Sequence, residues 1–166
     1  PVHESMQKFA KWAGVYGVGS TDPVTGDAPF VAGIGRVRAH GGEVAVSFGG
    51  AAKLELATAY QRAGKTAADL QRAYQDVIDR YALSYVDFDI EGFHVADAPS
   101  VALRSAAIRG LQDAAALAGR ELRVSLTLPV MPTGLDANGR GVLASAFAAG
   151  VVLDCVNVMC MDYGAG

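Results

Sequence analysis

The stretch Leu83-Ser84-Tyr85-Val86-Asp87-Phe88-Asp89-Ile90-Glu91 alternates acidic residues with large apolar ones. Alternation at period two predicts a β-strand whose side chains point to opposite faces. Val86, Phe88 and Ile90 take one face, and Asp87, Asp89 and Glu91 take the other. Residues two apart on a strand stand about 6.5 Å from each other. Three carboxylates in such a row, without partners, repel one another, and at least one is expected to hold a proton near neutral pH. The arrangement costs stability, which points to chemistry rather than packing.

The segments around this strand read as alternating elements. Glu43 to Phe48 is β-rich and bounded by Gly41-Gly42 and Gly49-Gly50, which predicts a strand. Residues from about 51 to 63 read as a helix ending at Gly64. Thr66 is an N-cap type with Asp69 at the third helical position, followed by Leu70, Ala73, Tyr74, Val77, Ile78 and Tyr81 at helical spacing. Ser100 is expected to cap the next helix, with Leu103, Ala107, Leu111 and Ala114 on one face and Gly119 as its stop. Leu122 to Val130 is a third strand, and Asp136-Ala137-Asn138-Gly139 reads as a turn. Val142, Leu143, Ala146 and Phe147 then mark a short helix ending at Gly150. Val151 to Met161 is apolar almost throughout, so it is predicted to be a strand covered on both faces. This order is a βα repeat, which implies a parallel sheet with right-handed crossovers. Within residues 1–40, Phe30, Val31, Ile34 and Val37 suggest a helix running to Gly41, and Gly14 to Ser20 is either a loop or a weak strand.

Composition narrows the class. The 166 residues are 51% hydrophobic and 19% charged, enough for one core, so residues 1–166 are read as a single α/β domain, with residues 1–40 a less patterned N-terminal segment. Net charge is −3 and no basic run occurs, which speaks against a nucleic-acid partner. The apolar stretches are far shorter than a membrane span, so no membrane partner is expected. Cys155 and Cys160 lie five apart and would face opposite sides of one strand, so they are expected to be unbonded, buried thiols. Without a CxxC or paired histidines they make no zinc site. The chain starts at Pro1 with no charged and apolar leader, so a signal peptide is absent or already removed.

The acidic strand resembles the signature of the family 18 glycoside hydrolases, the chitinases and their relatives, which reads Asp-Gly-x-Asp-x-Asp-x-Glu. Asp87, Asp89 and Glu91 match its last three acids, while Ser84 and Tyr85 stand where the first Asp and the Gly would be. Ser47-Phe48-Gly49-Gly50 is similar to the Ser-x-Gly-Gly that ends an earlier strand of that family, and Leu126-Thr127-Leu128-Pro129 resembles the next strand. Val156 to Gly164 resembles the strand carrying Met-x-Tyr-Asp, in a bacterial form. The likeness covers about residues 30–166. It implies part of a (β/α)8 TIM barrel, with four parallel βα units standing for the family's strands three to six. A whole barrel takes about 250 residues. Part of one leaves two open sheet edges and an uncovered inner face, so self-association, pairing with the remaining barrel segments, or instability is expected.

The resemblance also implies a chemistry. Glu91 would be the general acid that protonates a glycosidic oxygen between N-acetylglucosamine units of chitin or chito-oligosaccharides. The substrate's own acetamido oxygen would attack the anomeric carbon, as in the substrate-assisted exceptions among retaining glycosidases. Asp89 would hold the acetamido N–H, and Asp87 would share a proton with Asp89. Glu91, once ionised, would activate water. Asp162 would contact the sugar or the acid, Met161 aligns with the family's Tyr, and Tyr163 lies on the same face if alternation continues. Ser47 and Gly49 would border the substrate. No cofactor and no metal are implied, and such proteins are secreted, so an extracellular location is expected. An endo-β-N-acetylglucosaminidase acting on N-glycans and a non-catalytic chitin-binding relative remain alternatives. A magnesium site built on the three acids is a further reading of the row, though no phosphate-binding loop accompanies it. Trp12 serves either as a sugar platform or as core, Met159 and Met161 are either core or site, and His94 reads as a loop residue, with His3 and His40 at the surface.

Overall fold

The computed structural model describes residues 10–12, 16–51 and 54–163; His3, Gly14 and the side chain of Trp12 lie outside the described residues. Two short antiparallel strands, β1 (Lys11–Trp12) and β2 (Tyr16–Gly17), precede α1 (Ala28–Ala39). Then follow β3 (Val46–Gly49), α2 (Leu56–Arg62), α3 (Ala67–Tyr81), β4 (Tyr85–Asp89), a 3-10 turn (Gly92–Val95), α4 (Ala98–Leu117), β5 (Arg123–Pro129), α5 (Ala137–Ala148) and β6 (Cys155–Met159). The four later strands form one sheet in the order β3-β4-β5-β6, all parallel. This is the βα repeat that the apolar periodicities predict.

Each helix is set by local chemistry. Thr66 and Asp69 form a reciprocal capping box at the start of α3. The face of α3 carrying Leu70, Ala73, Tyr74, Val77, Ile78 and Tyr81 is buried against the sheet, as its spacing requires. Helix α4 begins two residues before Ser100, because Pro99 suits a first turn; Ser100 is buried and donates to the Asp97 carbonyl at 3.0 Å instead of capping. Asp136 is the N-cap of α5 and accepts from the Gly139 amide at 2.8 Å, so the expected turn at 136–139 is the first turn of that helix.

Val86, Phe88, Ile90, Val124, Leu126 and Leu128 point from the strands into the helix layer and are fully buried. Phe48, Phe88 and Tyr74 pack ring against ring, with centroids 4.8 to 5.4 Å apart. At the other end, Asp27 fastens the N-terminal segment. Its buried carboxylate accepts from Arg80 at 2.8 and 2.9 Å, from the Tyr81 hydroxyl at 2.7 Å and from the Gly19 amide at 2.9 Å.

Strand β6 departs from expectation. It is the outer strand of the four, and it is exposed rather than covered on both faces, because no described element packs beyond it. Cys155 and Cys160 are both free, as the spacing predicts, but exposed rather than buried for the same reason. Met161 is likewise exposed, which removes it from the core. Among the described residues no helix is long and apolar enough to cross a membrane.

Candidate active site

Strand β4 presents Asp87 and Asp89, with Glu91 just past its C-terminal end, on the face opposite Val86, Phe88 and Ile90. All three carboxylates are partly buried. The parallel register brings Ser47 of β3 and Ser125 of β5 level with Asp87, and Gly49 and Thr127 level with Asp89. Asn157 of β6 is level with Thr127. Asp87, Asp89 and their neighbours are therefore fixed by strand pairing, whereas Glu91 lies beyond the last paired residue.

Asp87 is not unpartnered, contrary to the reading of the isolated strand. Its Oδ2 accepts from Ser47 Oγ at 2.7 Å and its Oδ1 from Ser125 Oγ at 2.5 Å. Thr127 Oγ1 lies 3.0 Å from both oxygens, and Asn157 Nδ2 is 3.4 Å from Oδ1. Asn157 also donates to Thr127 Oγ1 at 3.2 Å and faces the Cys155 thiol at 3.4 Å. The carboxyl predicted to share a proton with Asp89 is thus occupied by donors from both neighbouring strands, β3 and β5, and from β6 beyond. Ser125, Thr127 and Asn157 are the partners that the reading of the sequence missed. The signal was present: small polar residues two apart in β5, and one in β6, interrupt otherwise apolar strands at the parity of the acid row.

Asp89 has the opposite surroundings. Its Oδ1 is buried with no hydrogen-bond partner. Burial pushes its pKa up to about 6, and the charge and hydrogen bond of Glu91 and the charge of Asp87 add to that. Asp89 is therefore the acid of the row that keeps its proton longest, up to about pH 6, which falls short of the proton expected at neutral pH. Glu91 is extended at φ −126 and ψ 166, and Gly92 takes φ +56 to open the 3-10 turn. Gly49 closes the site from β3 at φ +118, in contact with the Asp89 backbone, where a Cβ would overlap the Asp89 carbonyl oxygen.

The residues after β6 are less engaged. Strand pairing ends at Met159, and Asp162 takes φ +60, so alternation does not carry Met161 and Tyr163 onto a common face. Met161, Asp162 and Tyr163 are exposed, and among the described residues no hydrogen bond or ion pair joins them to the acid row. His94 sits in the turn after β4, as expected of a loop residue, and is buried there with Nδ1 2.9 Å from Thr58 Oγ1. Among the described residues no three His, Cys, Asp or Glu side chains converge to hold a metal ion. The hydroxyl and amide groups around Asp87 donate to its carboxylate.

No family model matches the chain. It is 43% identical over 128 residues, 77% of its length, to a probable bifunctional chitinase/lysozyme of Escherichia coli (strain K12). It is 42% identical over 128 residues, again 77% of its length, to Endochitinase 11 of Metarhizium anisopliae. The chain spans only 14% and 24% of those two proteins. In fold it matches the catalytic domain of a hyperthermophilic chitinase from Pyrococcus furiosus, with a TM-score of 0.70 and 34% identity, covering 92% of this chain and 44% of that one. The four parallel strands and their helices therefore correspond to part of a TIM barrel. Sequence and architecture together make this chain a relative, over part of their length, of the chitinase catalytic domains of the family 18 glycoside hydrolases.

Proposed function

We propose that the chain carries the catalytic acids of a chitinase-type glycoside hydrolase, which cleaves β-1,4-linked N-acetylglucosamine polymers with retention and with the substrate's own acetamido group as nucleophile. The observation that supports this most is the pairing of unlike acids at the strand mouths. Asp89 is raised to about 6 and leaves a buried oxygen unpartnered, and Glu91 stands beside it. An orphan acceptor in that position is suited to the acetamido N–H of a bound sugar. Glu91 then protonates the leaving glycosidic oxygen, the acetamido oxygen closes on the anomeric carbon, and the ionised Glu91 deprotonates the water that opens the oxazolinium ring. The donors on Asp87 fix it as the inner support of Asp89. Ser47 and Gly49 border this end of the row, and Met161, Asp162 and Tyr163 are read as outer substrate contacts.

The natural partner on this reading is chitin or a chito-oligosaccharide, met outside the cell. The test is release of fluorophore from a chitobioside by this chain and by Glu91→Gln. The expected loss in the variant is about 10²- to 10⁴-fold in kcat. Undiminished turnover by Glu91→Gln refutes the acid assignment. Tight chito-oligosaccharide binding without any turnover replaces it with a lectin-like role, and release of N-glycans from a glycoprotein replaces the substrate.

A further inference from the structure

Behind the acid row, in the helix layer, lies a second polar cluster that takes no part in the chemistry above. Glu55 and Arg104 form an ion pair that is almost wholly buried, at 1% and 2% side-chain exposure. Arg104 donates to Glu55 through Nη2 at 2.8 Å and through Nε at 3.2 Å. Glu55 is also the N-cap of α2, accepting from the Thr58 amide at 3.1 Å, and the buried Tyr74 hydroxyl lies 3.4 Å from it. Thr58, fully buried, continues the chain of contacts through Oγ1 to His94 Nδ1 at 2.9 Å. His94 sits in the turn after β4, and its backbone N–H donates to the Glu91 carbonyl at 3.2 Å. An unbroken run of polar contacts therefore leads from α4 through the start of α2 to the backbone of Glu91.

The run is poorly explained by stability. A buried ion pair gains little over well-packed apolar residues, and it is costly when incompletely bonded. Here Arg104 Nη1 is buried without a partner. Apolar packing would fill the same space at the junction of α2, α3 and α4 but could not fix the direction of a turn. Hydrogen bonds can, because they are directional. Glu91 also needs outside support: it lies beyond the last paired residue of β4, next to Gly92 in a left-handed conformation.

We propose that Thr58 and His94 are positioning residues for the Glu91 carboxyl, their buried hydrogen bond tying the turn after β4 to α2 while Glu55 and Arg104 tie α2 to α4. The proposal rests on Glu91 being the catalytic acid, but the geometry it claims is measurable without turnover. The reporter is Asp89, whose titration depends on how close Glu91 is held. The charged groups acting on it are Asp87 and Glu91; β3 presents Ser47 and Gly49, and β5 presents Ser125 and Thr127, none of them charged.

The experiment compares Thr58→Val, which keeps shape and loses the hydroxyl, with Thr58→Ser, which keeps the hydroxyl. Carbon-detected NMR of the aspartate carboxyls gives the Asp89 midpoint in each. Thr58→Val is expected to lower it from about 6 by about half a unit or more, and Thr58→Ser to leave it in place. On the fluorogenic chitobioside, Thr58→Val is expected to lose about 10- to 100-fold in kcat with KM within about twofold, the mark of a displaced acid. The pair His94→Gln and His94→Asn repeats the comparison should Thr58→Val not fold, since the Asn amide reaches the place of Nδ1 and the Gln amide does not. An Asp89 midpoint that stays at its wild-type value in folded Thr58→Val or His94→Gln overturns the proposal. The expected shift in Thr58→Val, together with a wild-type chain that hydrolyses nothing, overturns the functional reading instead.

Discussion

Replacing Asp89 by asparagine is expected to stabilise this fold, and only above the pH at which the carboxyl of the unfolded chain ionises. The native group titrates at about 6, whereas an aspartate in an unfolded chain titrates at about 3.9. Two units correspond to about 3 kcal/mol at roughly 1.4 kcal/mol per unit, and partial exposure of the side chain screens this to about 2 kcal/mol. Between pH 4 and pH 6 the unfolded chain has released its proton and the native chain still holds it. Stability therefore falls as pH rises through this window and stays lower above it. An amide has no proton to release, so Asp89→Asn escapes the loss. At pH 8 the variant should be more stable than wild type by about 2 kcal/mol, or about 4 to 8 °C in Tm for a chain of this size, and the gap should close near pH 4. Urea denaturation of both proteins at the two pH values gives the numbers, and the difference between them cancels every other titrating group. A pH-independent difference, or a variant less stable at pH 8, refutes the claim that Asp89 is held as a strained acid.

Two other substitutions probe the frame. Asp27 is lowered to about 2 by its hydrogen bonds to Arg80, against the opposing effect of burial, with Gly19 and Tyr81 assisting. Its contribution is therefore present above about pH 4 and lost as pH falls toward 2. Arg80 is 41% exposed, which discounts the pair. Asp27→Asn should cost about 1 to 2 kcal/mol at pH 7 in urea denaturation, shrinking toward zero near pH 2, and a constant deficit would contradict the ion-pair account. Gly49→Ala combines a φ of +118 with overlap against the Asp89 carbonyl, so it should cost about 3 kcal/mol or more in the same assay. A loss below about 1 kcal/mol would mean that β3 can withdraw from the acid row.

The elements were legible in the sequence because their signals are local. Thr66 with Asp69, the helical spacing from Leu70 to Tyr81 and the alternation from Val86 to Glu91 each act within one or two turns of chain. Burial of β6 was misjudged because an apolar strand reports what it would prefer to touch, not whether a neighbour is there. Asp136 and Ser100 show the usual ambiguity of short polar side chains, which suit caps and turns alike. The acidic row itself was legible, but its partners were not. Ser125 and Asn157 lie 38 and 70 residues from Asp87, and only the parallel register places them beside it. The burial of His94 and its contact with Thr58 were hidden for the same reason, since Thr58 is 36 residues away.

Strand register also explains why the fold tolerates three acids in line. The inner carboxyl, Asp87, is level with Ser47 and Ser125, and side-chain donors from β3, β5 and β6 surround it. Asp89 lacks such relief, because Gly49 stands level with it on one side and supplies no side chain, and Thr127, level on the other, turns its hydroxyl to Asp87. Serine in place of that glycine would bring a donor, but it would first have to pass through the Asp89 carbonyl. The glycine that β3 needs for close approach thus supplies no donor to Asp89, whose Oδ1 is buried without a partner. Electrostatic cost is concentrated at the end of the strand that faces the mouth of the sheet, where, on the proposed function, a donor on a bound sugar would relieve it and binding energy would be turned toward the reaction.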